Sequence, residues 1–542
     1  MPRSAFKNEF TYKNFIEQGK ESEFHKLFEE AIAVVKAGFG KTHPMYIGNM
    51  EVKADGLLEE RSPVDRNIVI GRFQKGRRED AQKAIEVAKA AFEEWKGIGY
   101  KERAGIFLKF ADLVSKNKFA IAAALSYENA KSVYESIGEV DEAIDFARYY
   151  ALDLLGNRGY SRKALLGGSK ANVNAGFQGA PSESEKVTIS MKPYGVLGII
   201  APFNFPVSIS MGMSIGAMIT GNTVVFKPSS TDNMTMLVEL MLYKLLREAG
   251  LPPGVFNYVT GPGSEVGEEL AMNRDVAGIA FTGSRSTGLG MISRSFGKGM
   301  QKVFVVEMGG KNPAIVSKNA DIDAAVKGVA GAAFGFAGQK CSALSRVYVD
   351  ESVKEVFISK LIEKVRGMRV GNPLNKDIYM GPLIGESAYR RYLESVDRIK
   401  NTGKLLYGGK RVDVGLDGYY VEPVLAELQH SNELVHTELF VPILAIIGYK
   451  TFDEALRMAN DTEYGLTAGL YSKNRREIKQ FSNTIESGVV YINRSISATT
   501  GAIVGLHTFV GWKGSGLTGK GTGSTFYLQQ FMREQSLSVT EG

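Results

Sequence analysis

The residues able to do chemistry are few and far apart in the chain. Cys341 is the only cysteine among 542 residues, and it lies in the run FGFAGQKCSALSR, 334–346, among glycines and small side chains that let backbone approach a ligand closely. A thiolate is a nucleophile, and loop amides or a helix start can lower a cysteine pKa toward neutrality. A lone cysteine can equally be a small buried hydrophobe. Glu307 ends the apolar run VFVVE and is followed by Met308, Gly309 and Gly310. A carboxylate half sunk in apolar surroundings has a raised pKa and can act as a base near neutral pH; the alternative is a structural carboxylate satisfied by loop amides. Asn204, in the run APFNFP, sits between an apolar strand and an apolar helix. Its amide could donate to an oxyanion or cap the helix.

Two more strand ends suit a phosphate-bearing ligand. Lys227 closes a strand with no other charge, in NTVVFKPSS, where a cation can meet ribose hydroxyls or a phosphate. In FTGSRSTG, 281–288, a strand runs into a Gly/Ser turn and then a helix. Free amides at a helix start favour a pyrophosphate. Neither run is a strict GxGxxG, so each is a weak signal alone.

The elements that must hold these residues follow from periodicity. Phe24, Leu27, Phe28, Ala31, Val34 and Val35 recur at helical spacing, so residues 1–50 read as a helical extension packed on the main body. Residues 51–65 suggest strands ending in the turn Ser62-Pro63-Val64-Asp65. The stretches 81–95, 101–116, 118–130 and 133–155 are helical and rich in Ala, Glu and Lys, as exposed amphipathic helices are. The stretch 156–185 reads as loop. Beyond Lys192, short apolar strands (196–200, 223–226, 255–259, 278–281, 303–306) alternate with helices, which predicts a parallel, doubly wound sheet with ligands at the carboxyl ends of its strands. A second alternating block runs from 312 to about 492, with strands at 314–316, 346–349, 445–449 and 469–471.

Composition narrows the rest. The chain is too long for one ordinary core, so two or more domains are expected. One cysteine excludes an internal disulfide framework, and five histidines without HxH or HxxxH spacing argue against a metal. The formal charge of +7 is scattered, with no basic stripe interleaved with aromatics, so no nucleic-acid partner is expected. The uncharged stretch 194–226 is broken by Pro202, Asn204, Pro206 and Gly221 into pieces too short to span a membrane. The start, MPRSAFKNEF, lacks the apolar core of a signal peptide, and a cytoplasmic protein is expected.

Taken together and in order, PFNFP, the strand leading to KPSS, FTGSRSTG, EMGGKNP, GQKCSA and the ELF of Glu438, Leu439 and Phe440 resemble the aldehyde dehydrogenase superfamily, from about residue 55 onward. The resemblance implies an α/β fold: a Rossmann-type cofactor domain (51–186 and 193–306), an α/β catalytic domain (307–508) and a small β oligomerisation arm (187–192 and 509–542). A strand donated to a neighbour would make the chain a homo-oligomer. By the same resemblance Cys341 attacks an aldehyde, Asn204 and the Cys341 amide hold the oxyanion, and Glu307 activates the water that hydrolyses a thioester. Lys227, Ser230, Gly283, Ser284, Phe203, Glu438 and Phe440 would hold the cofactor. Ser230 stands where NAD-selective relatives often have Glu, which implies NAD, with NADP tolerated.

The runs GFAGQKCSA and TGAIVG, 500–505, are similar to the branch oxidising glutamate γ-semialdehyde, the open form of 1-pyrroline-5-carboxylate. There Ser342, Gly501 and Ala502 would hold the amino-acid end of the substrate. Another semialdehyde, such as succinic semialdehyde or a sugar-derived aldehyde, is the alternative; a non-catalytic relative would have damaged motifs. The chain departs from the family at Val441, in ELFVP, at the TFVG of 508–511, and in the length of 495–499.

Overall fold

The computed structural model describes residues 6–163, 185–230, 234–496 and 499–540. Two seven-stranded sheets carry the molecule. The first runs, edge to edge, Val303–Glu307, Val276–Thr282, Val196–Ile200, Thr223–Lys227, Phe256–Tyr258, Met45–Ile47 and Met50–Val52. Its first five strands are parallel. Apart from Asn257 in Phe256–Tyr258, their central residues are Val, Leu, Ile, Phe, Ala and Gly without charge, because helices cover both faces. Register then aligns their ends: Ile200 pairs with Lys227 and with Phe281, and Thr282 pairs with Glu307. The carboxyl edge of this sheet is therefore one row of chemistry-bearing residues.

The second sheet runs Lys404–Tyr407, Val424–Glu427, Ile443–Tyr449, Leu344–Asp350, Asn312–Val316, Thr467–Tyr471 and Val489–Ile492, parallel except for the first pair. Asn312, Leu344 and Thr467 lie at its amino edge. Only residues 308–311 separate Glu307, on the carboxyl edge of one sheet, from Asn312, on the amino edge of the other.

Two expectations need amending. Residues 101–130 form one helix, Tyr100–Asn129, and it is not an exposed one. Its second half, from Ile121 to Asn129, is buried throughout, as is the inner face of Val133–Gly156. Alanine-rich composition here marks close helix packing against Ser208–Ile219 and Leu237–Ala249 rather than solvent. The first fifty residues also do more than pack on the body. After the helices Thr11–Glu17 and Glu21–Lys36, the segment Met45–Ile47 adds an antiparallel strand to the first sheet.

An outlying three-stranded sheet joins Met532–Thr540 to Glu185–Pro193 over nine residue pairs, with Ser161–Lys163 beyond. Residues 509–531 run back across the body: Phe509 bridges Thr522, Gly516 bridges Glu307, and Trp512–Lys513 pairs with Tyr464–Gly465. Most of the stretch 156–185 lies outside the described residues. Among those described, no helix is long and apolar enough to cross a membrane.

Candidate active site

Cys341 lies just before the strand Leu344–Asp350, in a loop shaped by three consecutive left-handed residues: Phe336, Ala337 and Gly338. The first two are costly there, about 1–3 kcal/mol each. Gly338 is required, since a Cβ would sit 2.8 Å from the Val441 carbonyl oxygen. Asn312 holds the far side of the turn. Its Nδ2 donates to the carbonyls of Cys341 (2.7 Å) and Ala343 (2.9 Å), while its Oδ1 accepts from the Thr467 amide (3.0 Å). The cysteine is thus fixed by the amino edge of the second sheet.

Asn204 reaches this loop from the first sheet. It is buried, and its Nδ2 donates to the Gln339 carbonyl at 3.1 Å, two residues before the cysteine. A primary amide has two N–H groups, so fixing one aims the other. It does not cap the following helix: Ser208–Ile219 has no side-chain cap.

Cys341 and Glu307 line one cavity of about 370 Å³, together with Ser342, Gly501 and Ala502. Glu307 Oε2 is buried with no hydrogen-bond partner. Burial raises its carboxyl to about 8, opposed only by the Gly511 amide. The TFVG departure thus keeps the glycine whose amide meets the Glu307 carboxyl. Burial first, and then the carboxylates of Glu307 and Glu438, push the Cys341 thiol up to about 12, outweighing the amides of Ser342 and Cys341. The lowering by loop amides expected from the sequence is present but is the smaller effect. Gly501, at φ +81°, is locked by its carbonyl, which accepts from Arg494 Nη2 (2.9 Å) and Tyr491 Oη (3.3 Å). Thr499 Oγ1 donates to the Ser342 carbonyl at 2.9 Å. Residues 497 and 498, in the segment flagged for its length, lie outside the described residues.

The remaining candidates lie away from this cavity. Lys227 is buried at its strand end, donating to the Pro228 carbonyl (2.9 Å) and Ser230 Oγ (3.2 Å); burial lowers its pKa to about 8. Ser230 Oγ in turn donates to the Gly261 carbonyl. Ser284 caps the helix Arg285–Gly297 by accepting from the Thr287 amide at 3.2 Å, and the first amides of that helix have no partner within it. Gly283 avoids the Phe281 ring, which would lie 2.5 Å from a Cβ. Glu438 Oε1 accepts from the Gly310 amide at 2.8 Å, and burial raises its carboxyl to about 7. Phe203 and Phe440 meet edge-on, with ring centroids 5.9 Å apart. A cation, a helix start, a carboxylate and two aromatic rings fit the phosphates, ribose hydroxyls and flat ring of a dinucleotide.

Several residues that matter were missed in the sequence. Asn312 is one. Others are Glu9 and Phe10, which line the cavity from the N-terminal segment. Asn8 Nδ2 bonds both Asp145 Oδ2 (2.8 Å) and the Val504 carbonyl (3.0 Å), and Thr11 gives two hydrogen bonds to Asp141, both at 2.7 Å. No local pattern links residues 8–11 to a loop near 504. One cluster of possible metal ligands, His430, His436 and Asp461, also came together unforeseen. Both ring nitrogens of His430 and the Nε2 of His436 are engaged, by Tyr348, Asp461 and the His430 carbonyl, beside the buried Arg346 guanidinium.

A buried thiol, an amide bonded to the loop that carries it, and a carboxyl with one unpartnered oxygen in the same cavity as the thiol suit a cysteine-dependent oxidoreductase. The aldehyde dehydrogenase family model matches residues 52–537, and the chain belongs to that family. It is 35% identical over 518 residues to 1-pyrroline-5-carboxylate dehydrogenase 1 of Halalkalibacterium halodurans, covering 95% of this chain and 96% of that one. The solved structure of 1-pyrroline-5-carboxylate dehydrogenase from Thermus with bound NAD superposes with a TM-score of 0.90 at 34% identity, covering both chains in full. Betaine aldehyde dehydrogenase of Staphylococcus aureus, in complex with NAD+, is further off: 0.85 at 26% identity, over 95% of this chain and 97% of that one.

Proposed function

We propose that the protein oxidises L-glutamate γ-semialdehyde, the open form of 1-pyrroline-5-carboxylate, to glutamate with NAD as hydride acceptor. The observation that carries the reading is the shared cavity: Cys341 and Glu307 meet there with Ser342, Gly501 and Ala502. The names borne by relatives over nearly the whole chain support the substrate.

Cys341 releases its thiol proton to solvent as Sγ adds to the aldehyde carbon, and the free N–H of the Asn204 amide and the Cys341 backbone N–H stabilise the oxyanion. The bound dinucleotide supplies the hydride acceptor, on an edge where Lys227, Ser284 and Glu438 would hold its ribose and phosphate groups and Phe203 and Phe440 its ring. Loss of hydride from the tetrahedral carbon leaves a thioester on Cys341. Glu307 takes a proton from water as the water attacks that thioester, releasing the carboxylic acid and restoring the thiol. Ser342 and the amides of Gly501 and Ala502 suit the carboxylate end of the substrate. Ser230 offers no carboxylate to repel a 2′-phosphate, so NADP is tolerated beside NAD. The edge strand Met532–Thr540, with Leu537 and Val539 exposed, suits pairing with a second copy, as a homo-oligomer in the cytoplasm.

The test is NADH formation with 1-pyrroline-5-carboxylate beside succinic semialdehyde and a simple alkyl aldehyde. The expected result is the highest kcat/KM for the first. A preference for succinic semialdehyde would overturn the substrate while leaving the chemistry.

A further inference from the structure

Lys131 is a buried cation with no part in the steps above. It follows Ala130, whose left-handed backbone (φ 62°) ends the helix Tyr100–Asn129, and precedes Ser132, the cap of Val133–Gly156. Its side chain is only 1% exposed, yet it borders the aldehyde cavity. The ammonium pairs with Glu139 Oε2 and donates to the Asn204 carbonyl at 2.6 Å. It also lies 3.6 Å from the Phe205 ring centroid and 4.9 Å from that of Phe336, in the loop leading to Cys341. Glu139 uses its other oxygen on the amides of Val207 (2.8 Å) and Ser208 (3.2 Å), where the next helix begins. The segment 204–208 is therefore gripped at both ends by one ion pair.

A buried ion pair is a poor way to gain stability, since well-packed apolar side chains of similar volume often do as well. What they could not do is hold a carbonyl oxygen and two amides in fixed positions. We propose that Lys131, held by Glu139, is a positioning residue that fixes the Asn204 amide against the Cys341 loop. The inference rests on the reading of Asn204 as the oxyanion donor.

The test is a double-mutant cycle on the intact enzyme, read as the rate of the first NADH turnover. Lys131→Met is expected to slow that turnover about 10- to 100-fold, the size of an oxyanion donor partly lost. The KM for aldehyde and the Kd for NAD should stay within about twofold, and Lys131→Arg should restore most of the rate. Because Lys131 acts through Asn204, adding Lys131→Met to Asn204→Ala should cost nothing further. Losses that multiply in the double variant, or a normal first turnover in Lys131→Met, overturn the proposal. A normal first turnover in Asn204→Ala alone would instead overturn the reading beneath it. Should Lys131→Met fail to fold, Glu139→Gln, which keeps the side chain's shape, enters the same cycle with the same two outcomes.

Discussion

The dinucleotide edge and the aldehyde cavity are built by different means. On the edge, Ile200, Lys227, Thr282 and Glu307, the last two of which also line the cavity, are set by a hydrogen-bonded ladder, so their relative positions follow from strand register. The cavity wall is assembled from residues 9–10, the helix Val133–Gly156, the loop 500–504 and the returning tail at Phe509 and Thr522. A ladder fixes positions within tenths of an ångström; a wall of loops and a terminal segment depends on a few long-range hydrogen bonds. Chemistry should therefore be expensive to perturb and indifferent to which aldehyde is offered. Specificity should be cheap to perturb and different for each aldehyde.

Substitutions can break that contrast. The largest effect is expected from Cys341→Ala: kcat falls by at least about 10⁴-fold with every aldehyde, while NAD still binds by fluorescence titration. Glu307→Gln comes next. Stopped-flow absorbance should show one equivalent of NADH in a burst, followed by steady turnover slowed about 10²–10³-fold, again for every aldehyde.

The Glu307 carboxyl, raised to about 8 by burial, makes a third test. Its basic form increases with pH, so below 8 the deacylation rate should rise about tenfold per unit and then level off. The same shift has a sign for stability. The folded state keeps the proton that the unfolded chain releases near 4.5, so this group's contribution falls as pH rises from about 4.5 to 8 and is constant above it. Glu307→Gln should flatten both profiles, the second being read from Tm against pH. The smallest effect is on the wall. Asn8→Ala removes two hydrogen bonds, to Asp145 and Val504, and should raise KM about fivefold for the preferred aldehyde and less for a short alkyl one. A uniform loss of kcat from Asn8→Ala would erase the contrast.

The same contrast explains what could be read beforehand. Asn204, Lys227 and Glu307 each end or follow an uncharged apolar run, so a local pattern marks them, and the alternation of runs predicts the sheet that aligns them. Lys131 and Asn312 carry no such mark. One sits between two helices whose alanines look like exposed surface; the other opens the strand Asn312–Val316 after a Gly-Gly-Lys turn, with nothing local to say what its amide holds. Their importance lies in partners 73 and 29 positions away, Asn204 and Cys341. The raised thiol pKa was hidden for a related reason: it depends on burial beside two carboxylates that the chain places 34 residues before and 97 after it. The terminal segment was legible as helix but not as cavity wall, because nothing local couples Asn8 to Val504.

The solitary sulfhydryl has a practical corollary. With a single thiol per chain, mass spectrometry of an alkylated sample counts competent molecules directly, with no background from other cysteines. It also leaves damage without an internal remedy. A sulfenate formed at Cys341 has no neighbouring cysteine to trap it as a disulfide, so its recovery depends on reductants from outside the protein.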